Sequence, residues 1–234
     1  MINIKHFLIL GLFFSLVACS NPSQPQFAAA SSAADFKILS NKDAEQSQGI
    51  PVNLNLDGKL ELQFQVEDLF TEEAYLQQIH HDTVYLMLGF VEKISGHHFR
   101  IQLQDPEIKS VSVYQSYQTS LSLMDEGPHM DFTDWIHYTS EWEAIPVTNE
   151  QFSSLEYQKD HYQRFPEVSK EEIMEAVRAR VNDDKWLELA QKCDDPRSYP
   201  CGVSISRYFL KLEILDSQNE VSQRIVVFEV PMGC

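Results

Sequence analysis

Leu54, Leu56, Leu60, Leu62, Phe64 and Val66 alternate with polar residues on either side of an Asp57-Gly58 step. Successive side chains of a strand point to opposite faces, so period-two alternation leaves one dry face and one wet face. That is the pattern of half-buried antiparallel strands, and Asp-Gly is a hairpin turn signal. Residues 83–91, Thr-Val-Tyr-Leu-Met-Leu-Gly-Phe-Val, are more fully apolar and read as a central strand. Phe99, Ile101 and Leu103 alternate again, Val111 and Val113 open another strand, and residues 120–124 form a further one. Ser95-Gly96 and Asp105-Pro106 separate these runs at sandwich-like intervals.

The second half changes period. Ser169-Lys170-Glu171-Glu172 is a capping box, and Ile173, Ala176, Val177 and Val181 behind it keep helical spacing. Asn182-Asp183-Asp184 breaks or recaps this helix before Trp186, Leu187, Leu189 and Ala190. The chain then closes with a hairpin. Tyr208, Leu210, Leu212 and Ile214 form one face, Val226, Phe228 and Val230 the other, and residues 216–220 the turn. Strands, a helical insertion at about residues 125–201, then strands predict a mainly β fold, an immunoglobulin-like antiparallel β-sandwich. Residues 36–234 are long enough for one such domain with a sizeable core. The Asp57-Gly58 strands, the apolar strand from Tyr85 to Phe90 and the closing hairpin resemble a group of uncharacterised β-sandwich domains in bacterial lipoproteins. That resemblance implies a fold and no activity.

The amino terminus carries a different kind of signal. Lys5 precedes an apolar run at residues 7–17, and the small Ala18 stands before Cys19. This is the order of an export signal, and a run of about eleven residues falls short of the roughly 20 that a spanning helix needs. Leu16, Val17, Ala18 and Cys19 resemble the lipobox of bacterial lipoproteins. The resemblance implies cleavage after residue 18, diacylglycerol on the Cys19 thiol and acylation of the new amine. Two or three chains hold firmly, because each buried CH₂ contributes roughly 0.8 kcal/mol and one chain alone is marginal. Ser20 in place of Asp implies the outer membrane rather than the inner. The polar, small residues 20–35 read as a flexible tether with a reach on the order of 20 Å. The expected location is therefore the cell envelope, the domain facing the periplasm or the cell surface.

Charge narrows the partners. Removing residues 1–18 takes away Lys5 alone among charged residues, leaving 35 acids against 17 bases. Nucleic acid and anionic membrane surfaces would repel such a domain. Lipidated Cys19 therefore supplies the membrane contact, and a protein partner, if one is steered by charge, is basic. Setting Cys19 aside leaves Cys193, Cys201 and Cys234. An exported chain meets an oxidising compartment, where pairing is expected. Cys193 and Cys201 flank a loop bent by Pro196 and Pro200, which favours their closure. A hairpin about residues 216–220 offers the alternative of Cys201 with Cys234.

Candidate chemistry is sparse. His80-His81 and His97-His98 are adjacent pairs, so each offers at most one ligand to a given side of a strand. His129, Asp131, Asp134 and His137 lack the regular acid spacing of a calcium loop. Gly-x-Ser-x-Gly, Ser-x-x-Lys and His-Glu-x-x-His are absent from the sequence. No catalytic residue, metal site or cofactor is therefore expected. Residues 125–143 do stand out, with Phe132, Trp135, Tyr138 and Trp142 among six acids and no Lys or Arg. Such rings either serve a binding surface or pin a long loop onto the core. The sequence favours a non-enzymatic binding or interaction lipoprotein, of an immunity type or associated with the envelope. The alternatives are a periplasmic hydrolase or metal-dependent enzyme using the histidine pairs, and a small-ligand or lipid carrier.

Overall fold

The computed structural model describes residues 36–38, 49–67, 82–89 and 93–232. The export segment, Cys19, the tether, His80, His81 and Cys234 lie outside the described residues. The strands are β1 (Phe36–Ile38), β2 (Ile50–Leu56), β3 (Leu60–Val66), β4 (Thr83–Met87), β5 (His98–Leu103) and β6 (Ile108–Met124). Short strands follow: β7 (His129–Asp131), β8 (His137–Thr139), β9 (Glu143–Ile145) and β10 (Gln151–Ser153). Helices α1 (Lys159–Tyr162), α2 (Lys170–Arg180) and α3 (Asp184–Gln191) precede β11 (Cys201–Asp216) and β12 (Val221–Glu229).

Two sheets pack face to face as a β-sandwich. One has the order β1-β2-β3-β5-β10, and the other β4-β12-β11-β6-β7, with β8 and β9 also paired to β6. The predicted β2–β3 hairpin is present. Asp57 and Gly58 both take positive φ, 57° and 66°, which the right-handed strand twist demands of a tight turn. Lys59 N–H closes the turn on Leu56 O at 3.1 Å. The predicted closing hairpin forms, with Tyr208 opposite Phe228 and Leu210 opposite Val226.

The apolar strand of residues 83–91 departs from its expected central place. As β4 it stands at the end of its sheet, and it runs parallel to β12. Leu86 and Leu88 are fully buried, while outward-facing Tyr85 and Met87 are half-buried. Among the described residues β12 is its one strand neighbour, and its apolar residues are buried on the inner face and half-buried on the outer. The two strands are far apart in sequence, so no hairpin forces an antiparallel pair.

β6 corrects a second expectation. Two strands were expected around a polar run, but residues 108–124 form one strand of 17 residues. Gln115, Ser116, Gln118, Thr119, Ser120 and Ser122 are all buried. The burial is tolerated because partners come from other segments. Ser116 Oγ donates to Ser140 O at 2.8 Å, Leu155 N–H donates to Gln115 Oε1 at 2.9 Å, and Thr119 Oγ1 donates to Arg164 O. Opposite this run, β11 carries a bulge between Ile205 and Arg207. One extra residue reverses side-chain parity, so Ile205 and Tyr208 can both face inward. The extra residue, Ser206, meets Ser120 Oγ at 2.8 Å.

The inner face of β6 and β11 is thereby shared between two cores. Val113, Tyr117, Tyr208, Leu210 and Leu212 pack with the first sheet in the main core. Leu121, Leu123 and Cys201 continue into a second core made with α2 and α3. The capping box on α2 is reciprocal, Glu172 N–H donating to Ser169 Oγ at 3.2 Å and Ser169 N–H to Glu172 Oε2 at 2.7 Å. Asp183 recaps α3 by accepting from Lys185 N–H. Cys193 and Cys201 form a disulfide that ties the end of the helical segment to β11, with Cα atoms 5.8 Å apart. This pairing leaves the alternative of Cys201 with Cys234 without its partner. Helix within the predicted insertion is limited to residues 159–162, 170–180 and 184–191. The stretch before it is extended, β7, β8 and β9 running successively along the free edge of β6.

Candidate functional site

The first sheet turns a polar face outward. Val52, Leu54, Leu62, Phe64, Phe99, Ile101 and Phe152 point into the core. The intervening residues must then point away. Pairing sets Asn53 opposite Gln63, Gln63 opposite Arg100, and Arg100 opposite Gln151, so these four form one row across β2, β3, β5 and β10. Gln65 and Pro51 pair in the next row, and His98 pairs with Ser153. Together they line an open groove of about 1120 Å³ whose rim is Pro146, Thr148 and Asn149. The rim is a tight turn. Thr148 and Gln151 exchange backbone bonds at 2.9 and 3.0 Å, with Asn149 and Glu150 at φ 51° and 62°.

Side-chain hydrogen bonds tie the polar face together. Gln63 Nε2 donates to Glu61 Oε1 at 3.0 Å and to Gln102 Oε1 at 3.1 Å. His98 Nδ1 lies 2.8 Å from Ser153 Oγ. Beneath the floor the aromatic core is rigid, since Phe99 stacks on Phe152 at 5.0 Å and meets Phe64 at 5.1 Å and Phe228 at 6.1 Å. Close-packed rings hold their strands in fixed register, which pre-organises the polar groups above them. Among the described residues, Arg100 has no carboxylate within ion-pair distance.

The aromatic candidates of residues 125–143 do not gather into one surface. Phe132 is 0 % exposed, packs on Trp135 at 5.8 Å and lies under the Arg180 guanidinium at 4.8 Å. It belongs to the second core. Tyr138 is half-buried against Tyr117 at 5.9 Å. Trp142 alone of the four is displayed, 40 % exposed, edge-on to Phe209 with Lys211 Nζ 5.1 Å from its ring. The stretch is an interrupted edge segment, and its breaks insert rings into different parts of the fold.

The histidines are also dispersed. His97 N–H donates to Ser154 Oγ at 2.9 Å, and His98 faces the groove. His137 Nδ1 meets Trp135 O at 3.0 Å, while Asp125 pairs with Lys185. Among the described residues, no three of His, Cys, Asp or Glu come together in a metal-binding group.

Four tyrosines meet where the two cores join. Tyr157 lies 4.5 Å from Tyr117 and stacks on Tyr208 at 6.0 Å, and the Tyr162 and Tyr208 hydroxyls are 3.2 Å apart. Burial pushes the Tyr117 phenol up to about 12, and burial raises Tyr157 and Tyr208 further. Burial thus favours the neutral phenol at each of these three, and among the described residues the Tyr117 and Tyr157 hydroxyls are buried without a hydrogen-bond partner.

The groove residues were missed because they are the ordinary polar half of an alternating pattern. Their one visible signal is chemical type: Asn53, Gln63, Gln65 and Gln151 are amides where charged residues are the commoner choice for a wet face. No protein-family model, curated protein or solved structure matches the chain.

Proposed function

We propose that this chain is a lipid-anchored envelope protein that binds a partner without catalysing a reaction, and that the groove on the five-stranded sheet is its binding surface. The observation that carries the reading is the chemistry of the groove. Amides beside one arginine and one glutamate, Arg100 and Glu67, on a packed sheet can recognise a ligand by hydrogen bonds. Amides do not exchange protons near neutral pH, so they are poor instruments of acid–base catalysis. The lipobox-like residues 16–19 supply the anchor, and the acidic domain stands off the membrane on its tether. The outer membrane is its favoured location. An immunity-type role toward a secreted toxin and an association with the envelope itself are two versions of this reading.

Two experiments bear on it. Cys19→Ala should move the protein from membranes to the soluble fraction and abolish labelling by radioactive palmitate; unchanged fractionation would remove the anchor from the account. A photo-crosslinking amino acid in place of Gln65 in intact cells should yield a discrete adduct, whereas the same probe at exposed Glu175 of α2 should not. Equal or absent adducts at both positions would show that the groove is not the binding surface.

The hydrolase reading has one observation in its favour, the contact of His98 with Ser153. A fluorophosphonate probe that labelled Ser153, and failed to label His98→Ala, would replace binding by catalysis. Carriage of a lipid between the sheets has less support, because Phe64, Phe99, Phe152 and Phe228 fill that space.

A further inference from the structure

We infer that the groove takes an acidic oligosaccharide, recognised by the row Asn53, Gln63, Arg100 and Gln151 with Gln65 and His98 beside it. This deepens the envelope-associated version of the proposed function and rests on the groove being the binding surface.

The row crosses four strands. At a strand spacing of about 4.8 Å it spans roughly 14 Å, the length of a short oligosaccharide. Its members are long or planar polar groups standing side by side on a sheet face, in a groove open enough to admit a chain lengthwise.

Chemistry selects the ligand. A free amide offers a carbonyl acceptor and two N–H donors; Gln63 already donates to Glu61 and Gln102 and presents its carbonyl oxygen. Neighbouring sugar hydroxyls each donate and accept, so they match adjacent amides without any charge. An extended peptide would seek an open sheet edge and pockets for alternate side chains. Of the four strands of the row only β10 borders an open edge among the described residues, the other three being paired on both sides, and the outward side chains are mainly polar. A formal charge of −17 repels any polyanion, nucleic acid included, so an acidic ligand must be held by its local contact with Arg100 and by its hydrogen bonds.

Arg100 adds the acidic requirement. It sits in the middle of the row with Gln63 and Gln151 as its cross-strand neighbours. A guanidinium presents a planar fork that fits a carboxylate in bidentate fashion. Exposed His98 lies two residues away on the same face and supplies a further donor to an anionic group. A sugar carboxylate placed over Arg100, with its hydroxyls spread over the flanking amides, uses every group in the row.

The test is calorimetric titration of the full-length protein in detergent micelles with tetragalacturonate, neutral chitotetraose and a hexaglutamate peptide. Tetragalacturonate is expected to bind, chitotetraose more weakly, and hexaglutamate least. Arg100→Gln should weaken tetragalacturonate more than tenfold, since hydrogen bonds to charged groups are the strong ones, and the double substitution Gln63→Ala, Gln65→Ala should weaken it several-fold. All three substituted side chains lie on the wet face, so unchanged melting curves confirm that the variants are folded. The inference is overturned if tetragalacturonate gives no heat at millimolar concentration, if Arg100→Gln binds it unchanged, or if hexaglutamate binds as tightly. A crosslinked adduct at Gln65 in cells with no saccharide binding would overturn this inference alone. Loss of both would overturn the groove as a binding surface.

Discussion

The disulfide gives a prediction with a location as well as a size. Replacing Cys193 and Cys201 by alanine opens a loop with a sequence separation of 8. The chain-entropy relation for a loop of that length gives a loss of about 2.5 kcal/mol at 25 °C. For a domain of this size 1 kcal/mol corresponds to roughly 2–4 °C, so Tm should fall by roughly 5–10 °C. Both sulfurs are about 1 % exposed and lie in the second core, with Leu121, Leu123, Ile173, Val177 and Leu189. The loss should therefore be felt first where that core is built. Hydrogen exchange of the double variant should show lost protection in α2, α3 and the first residues of β11, with β2, β3 and β5 close to wild type. Alanine avoids the added cost of a buried hydroxyl. Circular dichroism melts and amide exchange on the same samples make the measurement. Two results would refute the reasoning: a stability change below about 0.5 kcal/mol, which is the scale of an inconsequential surface substitution, or equal loss of protection in the sandwich and the helical segment.

Other expectations follow from the same structure. Phe99→Ala removes a ring that meets three others under the groove. It should cost about 3–5 kcal/mol by denaturant unfolding, whereas Leu103→Ala, 37 % exposed at the end of the same strand, should cost far less. Ser169→Ala breaks one half of the capping box and should lower stability by about 1 kcal/mol, with exchange of the first turn of α2 increased. The hydrogen bond from Lys185 holds the Asp125 carboxyl below its ordinary value. A depressed carboxylate stabilises the fold above its unfolded pKa, near 3.9, and loses that contribution as pH falls through the lower folded value. Lys185→Gln should therefore destabilise the protein at pH 7, and its melting curve should converge with that of wild type as pH falls through that lower folded value.

Much of this fold is legible locally. The Leu54 to Val66 alternation with its Asp57-Gly58 turn needs only side-chain parity and two residues of positive φ to become β2 and β3. The Ser169 and Glu172 box, the Asn182-Asp183-Asp184 recap and the alternating faces of β11 and β12 are likewise written within a few residues of where they act. The Cys193–Cys201 pair closes over so short a loop that proximity in sequence secures proximity in space.

What only the tertiary structure decided depends on neighbours that are remote in sequence. The polar run of β6 looks like a break until Ser140, Leu155, Arg164 and Ser206 supply partners for Ser116, Gln115 Oε1, Thr119 and Ser120. β4 looks central because it is apolar on both faces, yet strand order is set by which partners reach it. Phe132, Tyr138 and Trp142 look like one aromatic surface, yet they are separated when residues 129–145 zigzag along the edge of β6. The groove is the clearest case. Asn53, Gln63, Arg100 and Gln151 lie on four strands, and hydrogen-bonded register alone lines them up. Periodicity tells which side of its strand each residue occupies. It carries no information on which strands stand side by side, and the candidate site is made of that adjacency.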